Sequence, residues 1–278
     1  MRTMTDRSRD SKEERLKRYY QTSVRYRDDL ITHGESFLNP FLILIDRYLD
    51  KGAQILDLGC GTGLSTRLLT QNGYDSCGLD LSPLFLSVEK REHPETDLIA
   101  GDALQLPFED STFDAVVAFE FIEHIPNVPK LLDEILRVLK DRGYIIFHSP
   151  NLISPYLPAF DLLRLLLGKE GRPVFAETLP QAFQWLRKNL LLSLKKKFSL
   201  RPEFLYREPD LTEKRIGGDS DSVYLANPMD LAQYLHSKGC AIDNRAHAMS
   251  WKNKFLAAIT PNWAPYIGLV AHKIPHSG

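Results

Sequence analysis

Between residues 55 and 63 the chain reads Ile55-Leu56-Asp57-Leu58-Gly59-Cys60-Gly61-Thr62-Gly63, an apolar run that delivers three alternate glycines. Residues without a Cβ let the backbone turn sharply and let a ligand lie directly against it. A helix that opens just after such a turn presents free N–H groups to a negative group, here a ligand carboxylate. Two nucleotide loops are excluded by spacing. Counted from Gly59 and Gly61, G-x-G-x-x-G wants glycine at 64, where Leu64 stands, and no Lys-Ser or Lys-Thr pair follows to make the phosphate loop G-x-x-x-x-G-K-[ST].

A second acid follows in the segment Gly78-Leu79-Asp80-Leu81-Ser82, about twenty residues after the glycines, where a strand-end carboxylate can accept two hydrogen bonds from a ribose diol. Then come Gly101-Asp102-Ala103-Leu104 and the apolar run Phe113–Phe119. Taken in order, these segments resemble the class I S-adenosylmethionine-dependent methyltransferases, the large family that includes the ubiquinone-biosynthesis enzymes. The resemblance covers about Gln54 to Asn151, with a weaker echo from Ser222 onward. It implies a Rossmann-like α/β fold: a seven-stranded, mostly parallel sheet with helices on both faces, and here a helical lid inserted after the fifth strand. It implies S-adenosylmethionine as cofactor, with Asp57 near the methionine amino group. Gly59, Cys60, Gly61, Thr62 and Gly63 would face the methionyl and ribose parts. Asp80, with Leu81 and Ser82, would take the sugar; Asp102, between Gly101 and Ala103, would meet the adenine amino group; Phe119 would close over the cofactor.

The acceptor side is read from Glu120-Phe121-Ile122-Glu123-His124-Ile125, which follows the fourth strand, and from His148 at the end of the fifth. The E-x-x-E-H string resembles one that some O-methyltransferases of ubiquinone and of small RNAs use to hold a divalent metal. On a helical turn Glu120, Glu123 and His124 project to one side, and His148 would complete a set suited to Mg²⁺, Mn²⁺ or Zn²⁺. Two other readings stand beside it: His124 or His148 as a general base without metal, and a purely structural role for both. The expected function is methylation, on oxygen, of a small-molecule, saccharide or lipid-linked acceptor. The alternatives are an RNA 2′-O-methyltransferase with a metal at the E-x-x-E-H segment, or a silent cofactor-binding module.

Elements must position these groups. A charged helical pattern with Leu16, Tyr19, Tyr20, Val24 and Tyr26 runs from Ser11 to Asp29, and Asn39–Leu49 predicts a second helix. Strands are predicted at Gln54–Leu58, Cys77–Leu81, Leu98–Ala100, Phe113–Phe119 and Gly143–His148, with helices at Leu64–Asn72, Leu84–Arg91 and Val128–Leu139. Such alternation builds a parallel sheet whose carboxyl ends collect the ligand. The rhythm then breaks. Tyr156–Leu167 and Gln181–Phe198 read as apolar-faced helices, and Phe204–Ser222, with Gly217-Gly218, reads as loop. A helix from Asn227 to Lys238 and strands at Cys240–Ala248 and Tyr266–Lys273 finish the chain. The expected organisation is a helical segment 1–50, a cofactor-binding core 51–151, an acceptor lid 152–221, and the rest of the core 222–278. Phe175, Phe183, Trp185, Phe198, Phe204 and Tyr206 are candidate linings of an apolar acceptor pocket.

Composition narrows the partners. The chain has 278 residues, with 35 Lys plus Arg against 36 Asp plus Glu, so no global field grips a polyanion and nucleic acid is not the expected partner. The three cysteines form no CxxC pair, which argues against a disulfide framework or a structural zinc site. The polar, charged beginning lacks an apolar signal core, and the expected compartment is the cytoplasm. Leucines interleaved with Lys and Arg over Gln181–Phe198 fit either peripheral contact with a membrane surface or a solvated helix face.

Overall fold

The computed structural model describes residues 11–171, 173, 175–212, 220–246 and 251–275. The first ten residues, the Gly217-Gly218 pair and the far end of the Cys240–Ala248 prediction lie outside them. Seven strands form one sheet in the order β3-β2-β1-β4-β5-β7-β6, where β1 is Gln54–Leu58, β2 Asp75–Asp80, β3 Leu98–Ala100, β4 Phe113–Phe119, β5 Leu139–Pro150, β6 Cys240–Ala246 and β7 Tyr266–Lys273. The first five run parallel, and β7 enters antiparallel between β5 and β6. Chain order reverses between β1 and β4, so the carboxyl ends of β1, β2 and β4 open a crevice at the place where such sheets bind ligands.

Central strands buried on both faces explain the unbroken apolar runs. Ile55, Leu56 and Leu58 of β1 and Ala115, Val116 and Val117 of β4 are fully buried. One face packs on α6 (Val128–Val138) through Leu131, Leu132 and Ile135, and the other on α3 (Glu35–Ile45) through Phe41 and Ile45. Between them lie α4 (Leu64–Gln71) and α5 (Pro83–Glu92), each following the strand that precedes it.

The amino-terminal stretch differs from its prediction. The charged pattern from Ser11 divides at Ser23 into α1 (Lys12–Thr22) and α2 (Val24–Ile31). Ser11 and Glu14 close a reciprocal capping box on α1, and Ser23 ends α1 while its hydroxyl accepts from the Tyr26 amide to start α2. β5 is longer than the Gly143–His148 prediction. After it come α7 (Tyr156–Leu166) and α8 (Leu179–Lys197), and then α9 (Pro228–Ser237). A further helix, α10 (Trp251–Ile259), stands between β6 and β7, where no helix was expected.

Candidate functional site

A cavity of about 540 Å³ opens at the carboxyl ends of β1, β2 and β4. Its floor is the glycine turn, one wall is the end of β2 with the Gly101-Asp102-Ala103 loop, and its roof is α1 and α2. The loop is pinned down by its own backbone, since the Gly59 amide donates to the Leu79 carbonyl at 2.8 Å.

Asp80 is the central group. One carboxylate oxygen accepts from the Gly61 amide at 3.0 Å and the other from the Ser82 amide at 2.8 Å, and the side chain faces the cavity. Burial raises its pKa to about 7, against the pull of the two amides; the Asp57 carboxylate adds to the rise. Gly61 has φ 58°, a left-handed backbone that disfavours a side chain, and Leu30 of α2 lies 3.4 Å from where its Cβ would be. Cys60, Thr62, Leu81, Gly101, Asp102, Ala103 and Phe119 also reach the cavity.

Other expected contacts fall elsewhere. Asp57 is 1% exposed and lies beneath the loop, where it accepts from Ser65 Oγ at 2.6 Å and Thr66 Oγ1 at 2.8 Å. It braces the turn from below. Burial also lifts its pKa, to about 6, with the two hydroxyls opposing. Gly63 is buried under Leu98 and Glu89, so its missing side chain serves packing. Gly59 does border the cavity; its φ of 67° and the Phe121 ring in the place of a Cβ both require glycine there. Ser82 is fully buried; its hydroxyl caps α5 by accepting from the Phe85 amide while its own amide holds Asp80.

The four residues considered as metal ligands do not converge; among the described residues no group of three His, Cys, Asp or Glu side chains is placed to hold a metal. The E-x-x-E-H string is not one helical turn. Glu120 sits before it with φ 50°, and only Ile122–His124 form a 3₁₀ turn. Side chains therefore leave in different directions. Glu120 pairs with His148 Nδ1 at 3.0 Å, Glu123 accepts from Ser149 Oγ at 3.0 Å, and His124 Nδ1 lies 3.0 Å from the Tyr20 hydroxyl.

His148 does not reach the cavity. Its side chain is wholly buried between the rings of Phe119 and Tyr266, stacked at 4.9 and 5.4 Å. Desolvation drops its pKa to about 3, so the imidazole is neutral and donates its Nδ1 proton to Glu120. Glu120 is the member of the pair that faces the cavity, with 29% of its side chain exposed, and burial raises its pKa to about 7 while His124 and His33 oppose the rise. His124 also lines the cavity. Tyr20 donates to Asp221 at 2.9 Å, and that carboxylate lies 3.3 Å from His124 Nδ1.

Two contributions to the site were not foreseen. α1 and α2 supply Leu16, Lys17, Tyr20, Tyr26 and Leu30, and the Tyr26 ring stacks on Phe85 of α5 at 5.7 Å. The apolar members of this charged stretch, Leu16, Tyr20 and Tyr26 among them, were the available signal. Asp221 was hidden in a segment that reads as loop. Conversely, of the aromatic residues proposed as pocket lining, none borders this cavity: Phe175 and Trp185 pack on each other at 5.1 Å, and Phe183 and Phe198 are exposed.

Residues 56–147 match the family model described as a methyltransferase domain. The matched residues run from β1 into β5 of the Rossmann-like sheet. Its relatives include the demethylmenaquinone methyltransferase of Renibacterium salmoninarum, 41% identical over 144 residues, a match covering 50% of this chain and 59% of the relative. The enzyme of the same name from Staphylococcus aureus is 30% identical over 156 residues, 53% of this chain and 64% of the relative. The chain thus spans less than two thirds of either relative's length. Among solved structures, an S-adenosylmethionine-dependent methyltransferase from Mesorhizobium loti shares the fold with a TM-score of 0.56 at 17% identity, covering 84% of this chain and 97% of that one. One from Aquifex aeolicus does so with a TM-score of 0.53 at 12% identity, covering 91% and 100%. The methyltransferase domain accounts for the glycine turn and Asp80. The match ends before His148, so residues 152–221, Asp221 among them, lie outside the matched region.

Proposed function

We propose that this chain transfers a methyl group from S-adenosylmethionine to a small acceptor, on oxygen. The observation that carries the proposal is the Asp80 carboxylate, turned into the cavity by the Gly61 and Ser82 amides beside the glycine turn. The residues present suit this cofactor. A carboxylate with a free lone pair on each oxygen can take both ribose hydroxyls. Asp102 stands at the far end for an adenine amine, and the cavity size accommodates a nucleoside with an amino-acid tail.

When bound, the cofactor supplies a methyl group already activated on a sulfonium. The chain's work is then to align the acceptor, exclude water and receive a proton. Leu16, Leu30, Phe37 and Leu157 give the cavity an apolar lining, and α1 with α2 closes it from above. Glu120 receives the acceptor's proton on its carboxylate, held by neutral His148; a pKa near 7 suits a base at neutral pH. A second reading makes His124 the base: Asp221 and Tyr20 engage its Nδ1, and Nε2, 3.8 Å from the Glu123 carboxylate, is the nitrogen that would take the proton. Residues 152–221 serve as the acceptor lid, supported by the way Leu157, Pro173 and Asp221 border the cavity. The apolar lining favours an acceptor that is itself largely apolar, including one carried on a lipid.

Calorimetry with the purified chain tests the cofactor. Micromolar binding is expected, and Asp80→Ala should weaken it by about 1–3 kcal/mol through lost hydrogen bonds to a charged group. A folded protein that shows no binding would defeat the proposal. Cofactor retained without transfer, over a broad set of hydroxyl-bearing acceptors, would favour the silent module.

A further inference from the structure

Helix α8 is turned inside out. Its buried side chains are Ala182, Asn189, Ser193 and Lys196, while Phe183, Leu190, Leu191, Leu194 and Phe198 are exposed. Spacings of 7, 4 and 3 residues put the buried set on one stripe, and the exposed apolar set follows the opposite side. The inward polar groups are fully engaged. Asn189 donates to the Leu152 and Ser154 carbonyls at 3.3 and 2.9 Å, Ser193 to the Ile153 carbonyl at 2.8 Å, and the buried Lys196 ammonium pairs with Asp230 at 2.8 Å. This orientation is therefore fixed by bonds, and the leucines are outside by construction. Helix α7 repeats the pattern with Phe160, Leu163 and Leu166 exposed. Of 19 large apolar side chains exposed among the described residues, 11 lie between residues 160 and 200. Such concentration marks a surface that meets something apolar.

Charge says what that is. Arg187, Lys188 and Lys197 of α8 are exposed with no acidic partner among the described residues, and Lys169 and Arg201 flank the same hairpin. Lys188 lies over the Trp185 ring at 4.3 Å, an amphipathic pairing suited to a headgroup boundary. A second copy of the chain meeting this face by two-fold symmetry would bring like charges together. We propose that the α7–α8 hairpin docks on an anionic phospholipid bilayer, its leucines and phenylalanines entering the acyl boundary and its cations resting among the headgroups. Leu157, in the first turn of α7, borders the cavity, so docking places the mouth of the site beside the lipid. The chain lies on the surface: no helix among the described residues is long and apolar enough to cross a membrane.

The test needs no turnover, so its outcome is separate from that of methyl transfer. The full chain is sedimented with vesicles of phosphatidylglycerol mixed with phosphatidylcholine, and with phosphatidylcholine alone. Binding to the mixed vesicles, weakened by salt, is expected, with the neutral vesicles bound at least about tenfold less well. Leu191→Glu with Leu194→Glu should abolish it, and Arg187→Glu with Lys188→Glu should weaken it by about tenfold or more. Unchanged S-adenosylmethionine binding, or for a chain that binds none an unchanged melting curve, certifies that each variant is folded. Absence of binding to either vesicle, or binding indifferent to these substitutions, overturns the proposal. So does a solution dimer that the leucine substitutions split, which would assign the face to a second copy.

Discussion

The Lys17 ammonium of α1 lies 2.8 Å from the Asp102 carboxylate, at the end of the cavity where an adenine amine would bind. The pair raises the Lys17 pKa through that hydrogen bond first and the one to Glu13 second. Both partners are about one third exposed, so the bond is weak, of order 1 kcal/mol or less, and salt screens it. Its position makes it a latch. Lys17→Met should speed cofactor association a few-fold at low salt, and raising the salt should speed the wild type but not the variant. Stopped-flow fluorescence reads both; equal salt dependence in the two proteins would remove the latch.

On the proposed binding mode, Asp80 makes cofactor affinity depend on pH. Its folded pKa is raised to about 7 and that of Asp57 to about 6, well above the usual carboxylate value near 4. The folded chain therefore keeps protons that the unfolded chain has released. The stabilisation is complete below pH about 4 and is lost as pH climbs through about 6 and 7. The melting temperature of the unliganded protein should accordingly fall between pH 5 and pH 8; Glu120, raised to about 7, adds to the fall, and His148, lowered to about 3, opposes it as the unfolded imidazole gives up its proton. Cofactor hydroxyls need the ionised carboxylate, so affinity should rise over the same interval, with one proton released per cofactor bound below pH about 7. Calorimetry in buffers of different ionisation enthalpy counts that proton, and Asp80→Asn should release none.

How much of this was legible beforehand follows from where the physics is local. The β1 strand, its glycine turn and the acid at 80 are short-range patterns, and the sheet assembled around them as the alternation of apolar runs required. The turn's interior was not legible. Gly59 and Gly63 are glycine for Phe121, Leu98 and Glu89, which approach from distant segments, and no local spacing announces such neighbours. Likewise Asp57 sits on a strand end as expected, yet Ser65 and Thr66 draw its carboxylate beneath the loop. The E-x-x-E-H string failed as a ligand set because one residue, Glu120, takes a left-handed backbone and breaks the helical geometry the spacing assumes.

That same backbone makes Glu120 a separable residue. A non-glycine at φ 50° stores about 1–2 kcal/mol, and a strained residue at a cavity wall is where function and stability part company. Glu120→Gly relieves that strain but takes from the buried His148 Nδ1 proton its carboxylate acceptor, so stability should change by no more than about 2 kcal/mol, while kcat falls by about 10²–10⁴-fold if the carboxylate takes the proton. Glu120→Gln keeps the shape and the strain and should lose the same activity. Urea denaturation alongside turnover checks the pair; a stable, fully active Glu120→Gln would clear this carboxylate of any proton transfer.

The two bases are then told apart at His124. Tyr20 keeps its hydroxyl proton because burial first, and the Asp221 carboxylate second, push its pKa far up, so it acts as a donor to Asp221 at 2.9 Å. With Asp221 3.3 Å from Nδ1, the imidazole is fixed in the tautomer that carries its proton there. Asp221→Asn would release that tautomer without touching Glu120, which pairs with His148 instead. If Glu120 is the base, kcat/KM should still rise through pH about 7 in Asp221→Asn and in His124→Gln, with modest losses. If His124 is the base, both variants should lose about 10²-fold or more in rate, and Glu120→Gln should stay within a few-fold of the parent. Rates and pH–rate profiles of the three variants decide between a carboxylate held by a buried histidine and a histidine held by the Asp221 carboxylate.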